Sequence, residues 1–153
     1  GMSFHGGLIG VIVASIIFAK KNQQDSFLYT DLVSIVAPIG IFFGRLANYL
    51  NSELYGKETT VPWSVIFQKV DNIQRHPSQI YEAILEGLLL FIILNIFIRS
   101  NFLNKRGLIS ALFLIFYSIF RFFSEIFREP DPQIGYIIYN LSMGQILCLL
   151  SWV

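Results

Sequence analysis

Long apolar runs are the feature that most limits the folds open to this chain. Residues 32–43, 78–98 and 108–127 form such runs, interrupted by few charges, and about 20 apolar residues in a helix are enough to cross a bilayer. Hydrophobic residues make up 54% of the 153 positions and charged residues only 14%, whereas a soluble domain is about a quarter charged. The composition predicts an all-α integral membrane protein. Its net charge of +1 gives no basis for nucleic-acid binding.

The spacing of the runs predicts a polytopic bundle of about five transmembrane helices. We place the spans at 8–19, 32–51, 78–98 and 108–127, with a fifth beginning near Tyr136. Between the second and third spans lies a small mixed segment, 52–79, in which a short strand is expected within 59–67. Asp31 is predicted to cap the second span, and Gly56 to end its helix.

Basic residues are concentrated in two of the short loops. Lys20 and Lys21 lie in the first, and Arg99, Lys105 and Arg106 in the second. Counting spans puts both loops on one side, which the positive-inside rule makes cytoplasmic. Segment 52–79 is then extracytoplasmic. The polar residues embedded in the helices come out near that same face: His5, Arg45, His76, Glu82 and Arg121.

Arg45 closes the long apolar run 32–43, at the point where such a run should end. Arg45, Asn48 and Ser52 fall on one narrow helical stripe. Because an arginine at the bilayer centre costs about 3 kcal/mol, the residue must either reach the membrane surface or face a polar cavity. Snorkelling to lipid headgroups and a site for an anionic substrate are therefore both open.

The fourth span carries a second polar stripe. Tyr117, Arg121, Glu125 and Arg128 follow one another at spacings of four, four and three residues, so they share one helical face. Arg121 and Glu125 could simply neutralise each other, or Arg121 could hold a phosphate whose pose Glu125 fixes. In the third span, Gln79, Glu82 and Glu86 also share a face, so one or both glutamates should point into the bundle.

The two histidines do not predict a metal site. His5 and His76 are far apart in the sequence and have no other ligand at zinc spacing. His5 precedes two glycines, a backbone that would let a substrate approach, although a purely structural histidine remains possible. His76–Pro77 is typical of the start of a helix.

Four motifs, in this order, resemble the signature of the prolipoprotein diacylglyceryl transferase family. They are Gly-Met-Ser-Phe-His-Gly-Gly at 1–7, Gly-Arg-Leu-Ala-Asn-Tyr-Leu-Asn-Ser-Glu-Leu-Tyr-Gly at 44–56, His-Pro-Ser-Gln-Ile-Tyr-Glu at 76–82, and the run 117–131. Ala47 departs from the family, which usually has glycine there, but alanine is also small. The first motif is internal in the family. The resemblance therefore implies a single membrane domain, 1–153, that is the C-terminal part of a longer protein.

The resemblance implies an enzyme of the bacterial cytoplasmic (inner) membrane with its site near the extracytoplasmic face. The family moves the diacylglyceryl group of phosphatidylglycerol to the thiol of the signal-peptide cysteine of a lipoprotein precursor. The products are a thioether and glycerol phosphate, and neither a metal nor an organic cofactor is needed. A transporter or channel for an anionic solute is the alternative. It predicts polar residues through the whole depth of the bundle, whereas 88–94 and 109–116 are almost wholly apolar.

The resemblance implies roles for the residues that match the family motifs. Arg45 and Arg121 are expected to hold the phosphate, and Asn48 to bond the headgroup. Glu82 and Glu125 would orient the arginines, while His5 is the candidate base and Tyr117 a positioning donor. The motifs place four further residues among the substrate-binding ones: Asn51, Glu53, Gly56 and Arg128.

Overall fold

The computed structural model describes residues 4–100, 105–129, 136–138 and 141–142. Four helices dominate these ranges: α1 (Phe4–Lys21), α2 (Ser26–Asn51), α3 (Ser78–Arg99) and α4 (Leu108–Glu125). Helix α2 packs against the other three, and α3 packs against α4. The predicted helical class is therefore confirmed.

Three of the described helices, α2, α3 and α4, are long and apolar enough to cross a membrane. Large apolar side chains on them point away from the bundle, as at Phe43 and Ile96, which are about 60% exposed (63% and 59%). Outward-facing side chains of this kind suit a lipid environment, in which apolar surface needs no cover. The chain is an integral membrane protein with at least these three candidate spans, and the predicted number of five is not confirmed.

The predicted fifth span lies mostly outside the described residues. Tyr136–Ile138 (β3) and Leu141–Ser142 (β4), at its expected start, form a short antiparallel pair. A helix therefore does not begin at Tyr136.

The apolar core is small and lies between α3 and α4. Leu90, Leu94 and Ile109 are fully buried there. Aromatic and aliphatic side chains of α2, α3 and α4 surround this core, among them Ile35, Phe97 and Phe113. This packing fixes the depth of α3 against α4, and so the level at which their charged residues meet.

The helix ends differ from the prediction in two places. Helix α2 begins at Ser26, capped by Asp25, whose side chain accepts from the Phe27 N–H at 2.9 Å. Asp31 instead lies inside α2, almost fully buried, and accepts from the Gly107 N–H and the Ser110 N–H, each at 2.8 Å. The predicted cap was wrong: Asp31 caps the start of α4, where backbone N–H groups lack helical partners.

Gly56 does not end α2 either. The helix ends at Asn51, and Ser52 follows it in the left-handed conformation, which satisfies the last carbonyls without a glycine. Gly56 lies beyond this turn in an extended stretch that pairs with Arg128. A Cβ at Gly56 would overlap the His76 carbonyl oxygen and lie 2.7 Å from that of Phe127, so glycine is needed here for close packing.

The segment between α2 and α3 forms a compact cap on one end of the bundle. Val65–Ile66 (β1) pairs antiparallel with Gln74–Arg75 (β2), which confirms the short strand expected within 59–67. Residues 56–58 lie between β2 and the residues that follow α4. Gly56 forms an isolated antiparallel β-bridge with Arg128, and Glu58 forms one with Arg75.

The two basic loops meet at the opposite end. Arg106 Nη1 lies 2.9 Å from Asp25 Oδ2, and Asp31 joins α2 to the start of α4 at the same level. These loops are thus on one side of the bundle and segment 52–77 is on the other, as the span count requires. The assignment of cytoplasmic and external sides stays a prediction.

Candidate active site

Two arginines from different helices meet on one carboxylate inside the bundle. Arg45 of α2 places Nε 2.8 Å from Glu82 Oε2, and Arg121 of α4 places Nη1 3.0 Å from the same oxygen. Glu82 is fully buried, whereas the two arginine side chains keep 17% and 12% of their surface exposed. The expectation that Glu82 partners an arginine is confirmed.

A second buried carboxylate joins the same two arginines. Glu86 Oε2 lies 3.3 Å from Arg45 Nη2, and Glu86 Oε1 lies 3.4 Å from Arg121 Nη1. The Ser124 hydroxyl also donates to Glu86 Oε1 at 2.9 Å. Both glutamates of α3 therefore point into the bundle, as their shared face predicted.

Arg121 has a third carboxylate partner on its own helix. Its Nη2 lies 2.7 Å from Glu125 Oε2, so the neutralising pair expected from the sequence is present. The pair is not self-contained, however, because Nη1 of the same guanidinium reaches both glutamates of α3. Arg45 likewise points inward to these glutamates and not to the membrane surface. The arginine–glutamate cluster is thus Arg45, Glu82, Glu86, Arg121 and Glu125.

The backbone of α3 changes winding at the level of this cluster. Ser78–Glu82 is α-helical, Ala83–Leu89 is π-helical and Leu90–Arg99 is α-helical again. Gly87, in the π-helical part, lies against α2, since a Cβ there would be 2.8 Å from Phe42 Cα. This close approach brings α2 near enough for Arg45 to reach the α3 glutamates. Short π-helical turns are frequent at functional sites.

Arg75 organises the cap on the bundle above this cluster. Its guanidinium bonds Asp71 Oδ2 at 2.7 Å and the Gly56 carbonyl at 3.3 Å, and it lies 3.4 Å from Glu129 Oε2. It also lies 4.8 Å from the centre of the Tyr55 ring, a cation–π contact. The hydrogen bond from Arg75 lowers the pKa of the Asp71 carboxyl below its usual value. Sequence reasoning gave Arg75 no role.

Tyr117 and Arg128 flank the arginine–glutamate cluster. Tyr117 lies one turn before Arg121 and stacks on Phe113 at 5.8 Å between ring centres. Arg128 follows the end of α4, where its N–H donates to the Glu125 carbonyl at 3.3 Å. Both predicted residues therefore lie about one turn from a member of the cluster, while their roles stay predictions.

The asparagines and Glu53 lie around the end of α2. Asn48 is half-buried, and Asn51 and Glu53 are exposed. Gln79 Nε2 donates to the Glu53 carbonyl at 2.6 Å, and the Ser78 hydroxyl donates to the Leu54 carbonyl at 3.0 Å. The turn after α2 is therefore fastened to the start of α3. Substrate binding by the Asn48, Asn51, Glu53 and Gly56 positions stays a prediction.

The two histidines lie in different parts of the fold, His5 in α1 and His76 in the cap. His5 lies in the first turn of α1, at the end of that helix away from the basic loop. His76 belongs to the cap: its Nδ1 lies 3.2 Å from the Tyr81 hydroxyl, which also accepts from Trp63 Nε1 at 2.7 Å. Pro77 then precedes the first residue of α3, so the interpretation of His76–Pro77 as a helix start is confirmed.

Glu86 and Ser124 are the members of the site that the sequence-based site set omitted. The available signal was the four-residue spacing of Glu82 and Glu86 on an otherwise apolar helix. Two carboxylates on one face of such a helix cost too much free energy in lipid unless each has a partner. Within the part of the chain that the structure describes, no group of three or more His, Cys, Asp or Glu is arranged to hold a metal. Chemically, the site offers two guanidinium groups that carboxylates hold side by side, a geometry suited to a phosphate.

Comparison with known proteins agrees with the motifs. The model of the family described as prolipoprotein diacylglyceryl transferase matches residues 1–153. A phosphatidylglycerol–prolipoprotein diacylglyceryl transferase of Rickettsia bellii is 55% identical over 97% of this chain and 57% of its own length. The enzyme of the same name from Aeromonas hydrophila is 52% identical over all of this chain and 58% of its own length. The chain thus spans less than two thirds of the length of these curated relatives. Both the family match and the identities show that the chain belongs to the prolipoprotein diacylglyceryl transferase family.

Proposed function

We propose that the protein transfers the diacylglyceryl group of phosphatidylglycerol to a cysteine thiol in the signal peptide of a lipoprotein precursor. The names of the relatives give diacylglyceryl transfer, with phosphatidylglycerol and a prolipoprotein as substrates, and the signal-peptide cysteine is part of the proposal. The observation that carries the proposal to this chain is the shared contact of Arg45 and Arg121 with Glu82 Oε2, at 2.8 and 3.0 Å. That contact puts two phosphate-binding side chains within reach of one anion.

In the proposed reaction the thiolate sulfur attacks the glyceryl carbon that carries the phosphate. A carbon–sulfur bond forms, the carbon–oxygen bond to the phosphate breaks, and glycerol phosphate leaves with the bonding electrons. Arg45 and Arg121 stabilise the charge that develops on the phosphate, because donors aimed in advance need no reorganisation during the reaction. Glu82 and Glu125 orient the arginines, and Asn48 bonds the headgroup.

The thiol must lose its proton before or during the attack. A free cysteine has a pKa of about 8.5, so little thiolate exists at neutral pH. His5 is the proposed acceptor of this proton and Tyr117 a positioning donor. The backbone of His5 lies at the end of α1 away from the basic loop, which is compatible with an approach from the same side as the cap.

The site is proposed to lie near the extracytoplasmic face of the bacterial inner membrane. Segment 52–79 would then be outside, and the loops at 20–24 and 99–106 would be cytoplasmic. Support comes from their separation to opposite ends of the bundle and from the positive-inside rule.

The test is direct. The full-length protein is incubated with phosphatidylglycerol and a peptide that carries a signal-peptide cysteine, and the peptide is analysed by mass spectrometry. A mass gain of one diacylglyceryl group, absent when the cysteine is replaced by serine, is expected. An unmodified peptide, with folded protein and bound phosphatidylglycerol, would refute the proposed activity.

A further inference from the structure

Glu86 differs from Glu82 in how its two carboxylate oxygens are bonded. Its Oε1 accepts from Ser124 and lies 3.4 Å from Arg121, and its Oε2 lies 3.3 Å from Arg45. Its side chain is fully buried. Each oxygen thus faces a donor from a different helix, so Glu86 ties α2, α3 and α4 together at one point.

Glu82 contacts the arginines through one oxygen. Its Oε2 lies at ion-pair distance from both arginines, at 2.8 and 3.0 Å, whereas its Oε1 contacts neither. Both Glu82 oxygens are buried, and neither has a well-aligned hydrogen bond among the residues that the structure describes. The two glutamates therefore suit different tasks, although they lie four residues apart on one face.

We infer that Glu86 is a positioning residue, which holds the guanidinium groups of Arg45 and Arg121 at a fixed separation while they bind the substrate phosphate. The inference rests on the proposed function, since it assigns a task within that site. An anion that displaces every carboxylate would leave both long side chains free to move. With Glu86 retained, Arg45 and Arg121 each keep their ion pair with it and turn other N–H groups of the fork toward the phosphate.

The surroundings of Glu86 support a fixed position. It lies in the π-helical part of α3, directly before Gly87, whose contact with Phe42 leaves no space for a side chain. Ser124 holds it from the other side and itself is fully buried. A buried side chain of one helix that is bonded from two others moves little unless the helices move.

Binding of a fluorescent short-chain phosphatidylglycerol in detergent micelles tests this inference without requiring turnover. The variants are Glu86→Gln, which keeps the shape but removes the charge, and Asp31→Asn as the matched control. Asp31 is also a buried carboxylate that joins helices, but it lies at the opposite end of the bundle. We expect the dissociation constant to rise about tenfold in Glu86→Gln and less than twofold in Asp31→Asn, although both variants lose thermal stability.

Equal dissociation constants in Glu86→Gln and the wild type would overturn the positioning role, whatever the stability. If Glu86→Gln does not fold, Ser124→Ala decides, because it keeps the Glu86 charge and removes only a hydroxyl, which donates to Glu86 Oε1 at 2.9 Å and to the Arg121 carbonyl at 3.2 Å. A rise of about threefold is expected there, and no change would refute the inference. Wild-type protein that binds the lipid but never modifies the cysteine peptide would refute the proposed activity alone. Wild-type protein that does not prefer phosphatidylglycerol over phosphatidylcholine would refute both.

Discussion

Replacing Arg121 by lysine tests whether the shape of the guanidinium matters beyond its charge. Arg121 serves three carboxylates through two nitrogens: Nη1 lies 3.0 Å from Glu82 and 3.4 Å from Glu86, and Nη2 lies 2.7 Å from Glu125. A lysine ammonium is a single point on a flexible stem and cannot reproduce this planar fork. At least one of the three contacts should therefore be lost.

The size of the effect follows from the lost contact. A hydrogen bond to a charged group contributes about 1.5–3 kcal/mol, and each 1.36 kcal/mol is a factor of ten in rate. Arg121→Lys should therefore lower kcat/KM for phosphatidylglycerol by about 10- to 150-fold. The assay is transfer to a cysteine peptide by the full-length enzyme at saturating peptide, with the amount of folded protein measured for each variant.

Arg106→Lys provides the matched control. Arg106 is 59% exposed and pairs with Asp25 at the other end of the bundle, where a surface ion pair contributes little. Its replacement should leave kcat/KM within about twofold of the wild type. Activity of Arg121→Lys within threefold of the control would show that Arg121 acts only as a charge, and the argument from its fork would fail.

Three further perturbations probe packing, orientation and proton transfer. Gly87→Ala puts a Cβ 2.8 Å from Phe42 Cα and should lower the free energy of unfolding by about 1–3 kcal/mol, measured by thermal unfolding. The control, Gly40→Ala, has nothing within 4 Å of its new Cβ and should not be destabilised. Equal stabilities of the two variants would contradict the close α2–α3 contact. Single cysteines at positions 22 and 72, in a cysteine-free background, should react with a membrane-impermeant reagent on intact cells at 72 only, and the reverse pattern would invert the topology. His5→Gln should lower the transfer rate by about 10²–10⁴ near neutral pH. Much of that rate should return toward pH 9, because the substrate thiol then ionises without a base. A loss that stays constant from pH 6.5 to 9 would exclude His5 as the base.

The structure favours one of the two alternatives that the sequence left open for Arg45, which were snorkelling to lipid headgroups and a site for an anionic substrate. Snorkelling predicted a guanidinium at the membrane surface, but Arg45 lies against two buried glutamates of α3. Breaking such a buried pair by removing one partner is strongly destabilising. A variant that removes Arg45 altogether therefore mixes stability with catalysis, and conservative replacements with a measured folded fraction are the informative ones.

The sequence was sufficient to predict the class, most helix positions and four residues of the arginine–glutamate cluster: Arg45, Glu82, Arg121 and Glu125. Charge-poor runs identify membrane helices because burying a charge in lipid is costly, and the same cost marks Arg45, Glu82 and Arg121 as residues that need partners. The short strand in the cap and the inward direction of Glu86 were also predictable, from composition and from four-residue spacing.

The tertiary structure alone decided which partners these residues take. In a soluble protein the apolar face of a helix points inward, but in a membrane both the lipid and the core are apolar, so the pattern leaves helix rotation and depth open. That is why Asp31 was predicted to cap its own helix although it caps α4, and why Glu86 was not recognised as the link between Arg45 and Arg121. Gly56 shows the same limit, since its need for glycine comes from His76 and Phe127, which are distant in the chain. Contacts between helices depend on how the whole bundle packs, and no local pattern contains that information.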